Sequence, residues 1–426
     1  MLVKKIIVLF CLGFALTSFA QEYSMFGKQS KASPFYQPNE KMKFNVKLLL
    51  DGKVIAGKKM KWVRTGDDGI RKSGEGVSSA KGLEIVTAIA KPGFVRIYVT
   101  AFDADGKPIM GAKNRRGQIK PVFFDGGACV DPNKLQGLPE PKDFDQFWAK
   151  QKKLLAKVPM KVLEIKEVPG NKTLKVFDVK IACAGKMPVS GYLIMPKNAK
   201  PKSLPIEVAF HGYGVRSASK NLYAGVGKIY LNVNAHGIAN GKPDAFYKKL
   251  RKGKLKKYGF NEKENENTET TYFHDMFLRI MRSLEFAKSL PEWNGKDLKV
   301  SGGSQGGLQA LAAAGLDKDI TSCYAGVPWC CDFGREKLNR IVNGWHIKHT
   351  KALEYYDPIN LIKRANPNCK LTLVAGLGDY TCPPSGVWIV FNNFIGDKSI
   401  ELRQGCEHGF KMKNYPKFVT KKSRKQ

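Results

Sequence analysis

The sequence predicts an α/β fold, a mostly parallel sheet flanked by helices, preceded by a small all-β sandwich-like domain. After residue 142, strand patterns alternate with helix patterns, as in parallel sheets covered by helices. Before residue 130 there are only short strand patterns separated by turn signals. The chain has 426 residues and a hydrophobic content of 43%, which is enough for two domains with real cores.

The N-terminus has the three parts of a secretory signal. Lys4 and Lys5 form a charged segment, residues 6–16 are apolar, and residues 18–20 suit signal peptidase. The apolar run is too short for a typical transmembrane helix, and no other segment is long enough. We therefore expect residues 1–20 to be a signal peptide, and the mature protein to be exported to the periplasm or the extracellular space without spanning a membrane.

The formal net charge of +35 comes from lysines spread along the whole chain, with dense runs at 248–257 and 411–425. Such a surface would attract an anionic polymer, for example an acidic polysaccharide. No nucleic-acid-binding motif accompanies the charge, so we expect no nucleic-acid partner. We favour a solvated basic surface, and binding of an anionic polysaccharide is the alternative.

The N-terminal region, residues 21–130, is expected to be an immunoglobulin-like β-sandwich, followed by a linker at 131–141. Its strands are predicted at 43–48, 57–63, 83–90 and 95–102. Five aromatic residues lie in its strand patterns and predict core rather than a sugar platform: Phe44, Trp62, Phe94, Tyr98 and Phe102.

The α/β domain is expected to span residues 142–426. Its helices are predicted at 144–155, 272–290, 308–315 and 384–394. Its strands are predicted at 174–182, 189–195, 206–210, 228–233, 298–301, 323–327, 370–375 and 399–403.

The strand at 298–301 runs into the pattern G-x-S-x-G at residues 302–306, centred on Ser304, and a helix of small residues follows. This is the nucleophile elbow of α/β-hydrolases, in which the serine lies on a strained strand-to-helix turn. Side chains two residues either side would collide with the neighbouring backbone, which explains the glycines. The helix N-terminus lies beneath the oxyanion that forms. Ser304 is therefore the predicted nucleophile.

A serine hydroxyl needs a base, and the base needs an orienting acid, which this fold supplies in the order Ser, Asp or Glu, His. His408 lies in a turn directly after a predicted strand and is the predicted base. Asp379 follows the strand at 370–375 and is the predicted acid. The oxyanion hole is expected to use the backbone N–H groups of Gln305 and of Tyr213, because the glycines around Tyr213 allow close approach.

Several residues compete for these roles. His346 and His349 have a spacing that could bind a metal, but we favour a solvated or core pair and expect no metal or other cofactor. Asp357 is predicted to cap a helix, and Asp397 lies in a turn. His211 precedes the nucleophile and is expected to support the oxyanion loop.

These residues resemble the acetyl xylan esterases and cephalosporin C deacetylases, carbohydrate esterase family seven, over roughly residues 139–420. The resemblance is carried by segments 141–148, 211–214, 302–307, 356–360 and 376–384. It implies the same triad and oxyanion groups, deacetylation of xylo-oligosaccharides and related small esters without a metal, and frequent assembly as hexamers. Trp329 is placed near the substrate by this analogy alone.

The chain departs from the family pattern in two places. His236, Gly237 and Ile238 stand where the family has Arg-Gly-Gln, and Gly409 stands where a glutamate follows the catalytic histidine. We expect both changes to touch the wall behind the active site. The lysine-rich segment 248–257 falls where the family makes subunit contacts, which leaves homo-oligomer formation open. A disulfide between two cysteines beside the predicted triad is also left open, namely Cys382 and Cys406.

The sequence thus predicts an exported serine esterase that removes acetyl groups from xylan-type oligosaccharides through an acetyl-enzyme. Its expected partner is an acetylated carbohydrate. Another α/β-hydrolase, such as a peptidase or an esterase for larger acyl groups, is one alternative. A non-catalytic carbohydrate-binding protein that keeps an idle triad is the other.

Overall fold

The computed structural model describes residues 22–113 and 117–424. The predicted signal peptide lies outside the described residues. A β-rich N-terminal region precedes a large mixed sheet with helices, as the sequence predicts. Among the described residues, no helix is both long and apolar enough to cross a membrane.

The N-terminal region contains eleven strands among its described residues. They are β1 (Tyr23–Gln29), β2 (Phe35–Tyr36), β3 (Met42–Leu50), β4 (Lys53–Val54), β5 (Lys59–Gly66), β6 (Lys72–Val77), β7 (Leu83–Thr87), β8 (Gly93–Phe102), β9 (Met110–Lys113), β10 (Ile119–Pro121) and β11 (Phe123–Val130). One sheet has β3 between β1 and both β4 and β7, a second has the order β2-β11-β8-β5-β6, and β9 pairs with β10. Fully buried side chains alternate with less buried ones along β3 and β8, and the two main sheets share one apolar core.

The second region is built on a ten-stranded sheet. Its strands are β12 (Val162–Val168), β13 (Leu174–Ile181), β14 (Val189–Pro196), β15 (Leu204–Phe210), β16 (Ile229–Val233), β17 (Trp293–Gly303), β18 (Ser322–Gly326), β19 (Lys370–Gly376), β20 (Lys398–Arg403) and β21 (Lys417–Lys422). The order is β12-β13-β14-β16-β15-β17-β18-β19-β20-β21. The strands from β16 to β20 are parallel, and the outer strands are antiparallel.

Helices cover this sheet. The α-helices are α1 (Phe144–Ala156), α2 (Asp244–Lys252), α3 (Glu262–Asn265), α4 (Tyr272–Lys288), α5 (Gln305–Leu316), α6 (Pro358–Leu361) and α7 (Pro384–Asn393). Short 3-10 helices span Pro132–Lys134, Leu222–Gly225, Phe333–Leu338, Lys351–Tyr356 and Ile362–Arg364. Every residue of α5 is buried, and its glycines lie where a side chain would not fit, since an added Cβ on Gly306 or Gly315 would lie within 2.3 Å of a neighbouring backbone carbonyl oxygen.

The parallel strands end at one edge of the sheet, where three loops meet. The loop after β17 carries Ser304, the loop after β19 carries Asp379, and the loop after β20 leads to His408. Parallel sheets place ligand and catalytic groups at the carboxyl ends of their strands. The topology alone therefore gathers three distant parts of the sequence into one place.

The two regions are in direct contact. Phe94 and Cys129 of the N-terminal region belong to the core of the large region, and Met412 of the large region belongs to the N-terminal core. The connecting segment is docked, because Asn392 Nδ2 donates hydrogen bonds to the carbonyls of Pro132 (2.9 Å) and Leu135 (3.0 Å).

Candidate active site

The turn between β17 and α5 holds Ser304 in a backbone conformation that is rare for a residue with a side chain, with φ 57° and ψ −122°. A Cβ on Gly302 would lie 2.2 Å from the carbonyl oxygen of Gly306. A Cβ on Gly306 would lie 2.1 Å from the carbonyl oxygen of Phe210, which ends β15. Both glycines are therefore required by close backbone contacts, as the motif predicts.

The hydroxyl of Ser304 meets the two other residues of the predicted triad. Its Oγ lies 3.0 Å from Nε2 of His408, and Nδ1 of His408 lies 2.9 Å from Oδ2 of Asp379. Asp379 is fully buried, and its second oxygen accepts a hydrogen bond from the Cys382 backbone N–H at 2.9 Å. A proton can therefore pass from Ser304 to His408 while Asp379 holds the ring.

The environment of His408 favours its charged form. Burial pushes the pKa of His408 down, but the hydrogen bond to Asp379 and the charge of Asp379 push it up and outweigh the burial, and Glu407 adds to them. The resulting pKa lies above the ordinary value of 6.5. A base of this kind accepts a proton readily and holds the imidazolium stably.

One predicted oxyanion donor belongs to the elbow, and the other belongs to a loop beside it, where an added Cβ on Gly212 would lie 3.8 Å from the Cβ of Ser304. Gln305 is the first residue of α5, and Tyr213 follows β15. In the described part of the chain, no hydrogen bond occupies the backbone N–H of either residue. These two donors thus remain available for an oxyanion.

A buried tyrosine joins the two sides of this hole. The hydroxyl of Tyr258 accepts a hydrogen bond from the Gly214 backbone N–H at 2.7 Å and lies 2.8 Å from Oε1 of Gln305, to which it donates. Its ring stacks on the ring of Tyr213, with centroids 4.1 Å apart and an interplanar angle of 10°. Tyr258 therefore links the loop that carries one donor to the residue that carries the other.

His236 supports the same loop from behind. Its Nε2 lies 3.2 Å from the carbonyl oxygen of Gly214 and must donate, so Nδ1 accepts from the hydroxyl of Tyr272 at 2.7 Å. Burial, with the charge of His211 adding to it, lowers the pKa of His236 to about 3. The neutral ring that this hydrogen-bond pattern needs is thus the stable form.

His211 supports the loop, as expected. Its Nε2 accepts a hydrogen bond from the Ala235 backbone N–H at 3.2 Å, and its Nδ1 lies 2.7 Å from the carbonyl oxygen of Gly212. Burial lowers the pKa of His211 to about 4, so it is neutral.

The expectation that both departures from the family pattern touch the wall behind the site is right for His236 and wrong for Gly409. Gly409 is exposed, and the nearest atom to an added Cβ is Oε1 of Glu407 at 3.7 Å.

Trp329 lies beside the elbow, where its backbone N–H donates to the Ser304 carbonyl at 3.0 Å. Only 3% of its surface is exposed, and its ring packs edge-on against the ring of Tyr213 at 5.4 Å. Trp329 and Trp345 line one cavity together with Cys382. Trp345 is 42% exposed, so it is the better placed of the two tryptophans to meet a bulky substrate.

The competing residues have other tasks. Asp357 caps α6 by accepting a hydrogen bond from the Ile359 backbone N–H at 3.0 Å, as predicted. His346 and His349 each face a glutamate, and they form no metal-binding group among the described residues. Asp397 lies in an exposed turn.

One group of residues in the described chain has the composition of a metal site. Side-chain atoms of Asp379, Cys382 and His408 lie within 4.8 Å of one another. Burial raises the pKa of the Cys382 thiol well above its ordinary value, so the thiol keeps its proton and is a poor ligand. Both Cys382 and Cys406 are free thiols, which answers the open question of a disulfide between them.

Tyr258 is the main residue of this site that the sequence does not reveal. It follows the lysine-rich segment that looks like an exposed insertion. Tyr258 is far in sequence from Gly214 and Gln305, so no motif in the sequence connects it with either residue. The only signal is that an aromatic residue ends a highly charged run.

The fold and this arrangement define the chain as an α/β-hydrolase. The model of the acetyl xylan esterase (AXE1) family matches residues 135–424, which is more than half of the chain. The chain therefore belongs to the acetyl xylan esterase family, as the resemblance predicts. It is a carboxylic ester hydrolase, and its family supports activity on acetylated xylan.

Individual relatives agree with this assignment. Acetyl esterase Axe7A of Xylanibacter ruminicola is 28% identical over 318 residues, 68% of this chain and 71% of that protein. The acetyl xylan esterase of Paenibacillus sp. R4 is 26% identical with a TM-score of 0.56, covering 65% of this chain and 93% of that one. Acetyl xylan esterase 1 of Thermoanaerobacterium sp. JW/SL YS485, 22% identical, shares the fold with a TM-score of 0.52 over 66% of this chain and 93% of that one.

The elbow geometry predicts a sharp difference between two adjacent glycines. Gly302→Ala should lower the free energy of unfolding by about 3 kcal/mol, because the new methyl group would press against the Gly306 backbone. Gly303→Ala is the matched control, since its added Cβ would lie 3.7 Å from the nearest atom. Urea unfolding of both variants measures the difference, and equal stabilities would contradict the geometry.

Proposed function

We propose that this protein is an exported serine esterase that removes acetyl groups from xylan-type oligosaccharides, with Ser304, His408 and Asp379 as its catalytic triad. The observation that carries the proposal is the continuous hydrogen-bonded line from Ser304 Oγ through His408 to the buried Asp379. The strained backbone at Ser304 supports it, because such strain is concentrated at functional positions.

In the first half of the proposed reaction, Ser304 Oγ attacks the acetyl carbonyl carbon while His408 Nε2 takes the hydroxyl proton. The carbonyl oxygen becomes an oxyanion that accepts hydrogen bonds from the N–H groups of Tyr213 and Gln305. The tetrahedral intermediate then collapses. The bond to the sugar oxygen breaks, and His408 gives its proton to that oxygen, which leaves as a free hydroxyl group.

In the second half, a water molecule takes the place of the sugar. His408 removes a proton from the water, which attacks the acetyl-enzyme carbonyl, and the same N–H groups stabilise the second oxyanion. Acetate leaves, and the proton returns to Ser304. The buried Asp379 keeps Nδ1 of His408 protonated throughout, so Nε2 is free to act as the base.

The acyl group and the location of the enzyme belong to the same proposal. The buried ring of Trp329 and the partly buried ring of Tyr213, 5.4 Å apart beside the elbow, favour a small acyl group such as acetyl. The N-terminal signal pattern supports the proposed export. The net charge of +35 would favour xylan chains that also carry acidic groups. Assembly as a homo-oligomer stays a prediction.

The proposed function is tested by acetate release from acetylated xylo-oligosaccharides and by hydrolysis of p-nitrophenyl acetate and butyrate. Ser304→Ala should lower kcat by at least about a thousandfold, because it removes the nucleophile. Ser301→Ala is the matched control, since its hydroxyl contacts Glu207 at 2.8 Å and lies outside the site.

The outcomes separate the alternatives. Release of acetate that depends on Ser304, with weak activity on the butyrate ester, supports a deacetylase. Faster hydrolysis of the butyrate ester would favour an esterase for larger acyl groups. A folded protein that hydrolyses none of these esters would refute the proposal and favour a carbohydrate-binding protein.

The raised pKa of His408 predicts the pH dependence. The base form of His408 is neutral, so kcat/KM should rise with pH through a midpoint above 6.5. Asp379→Asn removes the charge that raises this pKa, so the midpoint should move to lower pH while kcat falls by about a thousandfold or more. The control is Asp397→Asn in an exposed turn, which should leave the profile unchanged. A midpoint that Asp379→Asn does not move would contradict the assignment of the acid.

The bridge across the oxyanion hole predicts an effect on kcat. Tyr258→Phe leaves the Gly214 N–H and Gln305 Oε1 without their shared partner, so kcat for p-nitrophenyl acetate should fall about tenfold with little change in KM. Tyr247→Phe is the matched control. Tyr247 is equally buried, and its hydroxyl also joins two groups, the Lys242 N–H and the Ala239 carbonyl, but it does not reach the hole. Equal kcat values for the two variants would contradict the role of the bridge.

A further inference from the structure

We infer that the N-terminal β-rich region is a working part of the active site, because it positions the two loops that carry Asp379 and His408. Gln404 is the positioning residue for His408. This inference rests on the proposed roles of Asp379 and His408. It assigns a task to a region that lies outside the matched esterase family segment, residues 135–424.

The loop that carries His408 is anchored in the N-terminal region at both ends. It begins at Gln404, directly after β20, and ends at Met412, whose backbone N–H donates to the Gly405 carbonyl at 2.9 Å. Met412 is buried in the N-terminal core, and its sulfur accepts a hydrogen bond from the Gly27 backbone N–H at 3.4 Å. His408 lies midway between these two anchors.

Gln404 makes the anchor at the start of the loop. Its Oε1 accepts from the Gly127 backbone N–H at 2.9 Å, and its Nε2 donates to the Gly127 carbonyl at 2.8 Å. The same Nε2 lies 2.6 Å from Oε1 of Gln29, and Gln404 has no exposed surface. The side-chain amide thus pairs with β11 as a neighbouring strand would. Gly126 is required here, because its added Cβ would lie 2.1 Å from Oε1 of Gln404.

The tip of the same loop is supported by an aromatic contact. The ring of Phe410, two residues after His408, lies 4.8 Å from the ring of Phe123. Phe123 stacks in turn on Tyr98 at 5.8 Å. Tyr98 is only half-buried, so its prediction as core is met in part, and its ring supports Phe123 from the neighbouring strand.

The loop that carries Asp379 rests on the same strands. A Cβ on Gly378 would lie 2.2 Å from the carbonyl oxygen of Asp125, so the two backbones are in contact next to the acid. Asp125 is buried and pairs with Arg96 at 2.5 Å. The guanidinium of Arg96 then lies over the ring of Tyr380, 5.0 Å from its centroid. The N-terminal region therefore touches the chain on both sides of Asp379.

These contacts have a common consequence. The hydrogen bond between Asp379 and His408 joins two loops that are separate in sequence, and both loops lie against β11 of the N-terminal region. Misplacing a catalytic base by about 1 Å lowers the rate of the catalysed reaction strongly. Loss of the shared support for both loops should therefore lower kcat.

The test uses the full-length chain with Phe123→Ala and Gln404→Leu. The substrate is p-nitrophenyl acetate, which is chosen for its small size so that any effect on kcat does not come from a lost binding contact between substrate and N-terminal region. We expect kcat to fall about tenfold in each variant, with KM within about twofold of the native value. Phe123→Tyr should have a kcat close to the native value, because it keeps an aromatic ring in contact with Phe410. Phe102→Ala is the matched control, since this half-buried ring of the same region contacts Lys61 instead.

Thermal unfolding is measured alongside, and kcat is compared well below the lowest melting temperature, so that lost folding is not read as lost positioning. Native kcat in the folded Phe123→Ala and Gln404→Leu variants would overturn the inference. So would an effect confined to KM for xylo-oligosaccharides, which would make the region a substrate-binding unit. Activity that survives Ser304→Ala would instead refute the proposed function, so the two failures are distinguishable.

Discussion

The contact between the backbones of Gly306 and Phe210 is the constraint on which the site depends. With no side chain between them, the first turn of α5 lies directly against the end of β15. This closeness brings the Tyr213 loop beside Gln305, and it turns the chain so sharply that Ser304 takes a positive φ. The backbone strain at Ser304 thus results from holding α5, the end of β15 and the Tyr213 loop at contact distance. Packing of the buried α5 against the sheet offsets that strain.

The three histidines around the elbow show how surroundings set the role of one residue type. The described contacts of His211 and His236 include no carboxylate, so desolvation lowers their pKa and leaves them neutral, as their hydrogen bonds require. His408 is partly buried beside Asp379, and the pKa of His408 is raised. Two neutral rings therefore support the loop after β15, and the third is the one whose surroundings favour taking up a proton.

The sequence predicts best what depends on local patterns. The elbow, the strands of the parallel sheet and the helix Tyr272–Lys288 all have periodic or motif signals. The predicted ends of the helix and of these strands lie within two residues of the observed ones, except that the strand Trp293–Gly303 begins five residues before its predicted start. The strands Val162–Val168 and Lys417–Lys422 lie at the sheet edges, where most side chains are exposed and no alternation marks them. The helix Asp244–Lys252 is not predicted, because it buries only Tyr247 and its lysine-rich sequence looks like an exposed insertion.

The candidate site divides in the same way. Ser304, Asp379 and His408 could be predicted because the fold fixes their order and each follows a strand. Tyr258 and Gln404 could not, since their importance comes from partners that only the folded chain brings near. A buried amide that pairs with a distant backbone has no sequence signature, and the glycines that admit it look like ordinary turn residues.

The cysteines of this chain have a consequence for how the protein can be made. All eight in the described part of the chain are free, and burial raises the pKa of every one of these thiols. Six of these cysteines are buried, and Cys183 and Cys330 are partly exposed. Protonated thiols react slowly with oxidants and with one another. The native state therefore needs no oxidative step, and the same fold is compatible with an oxidising export route and with the reducing interior of a production host.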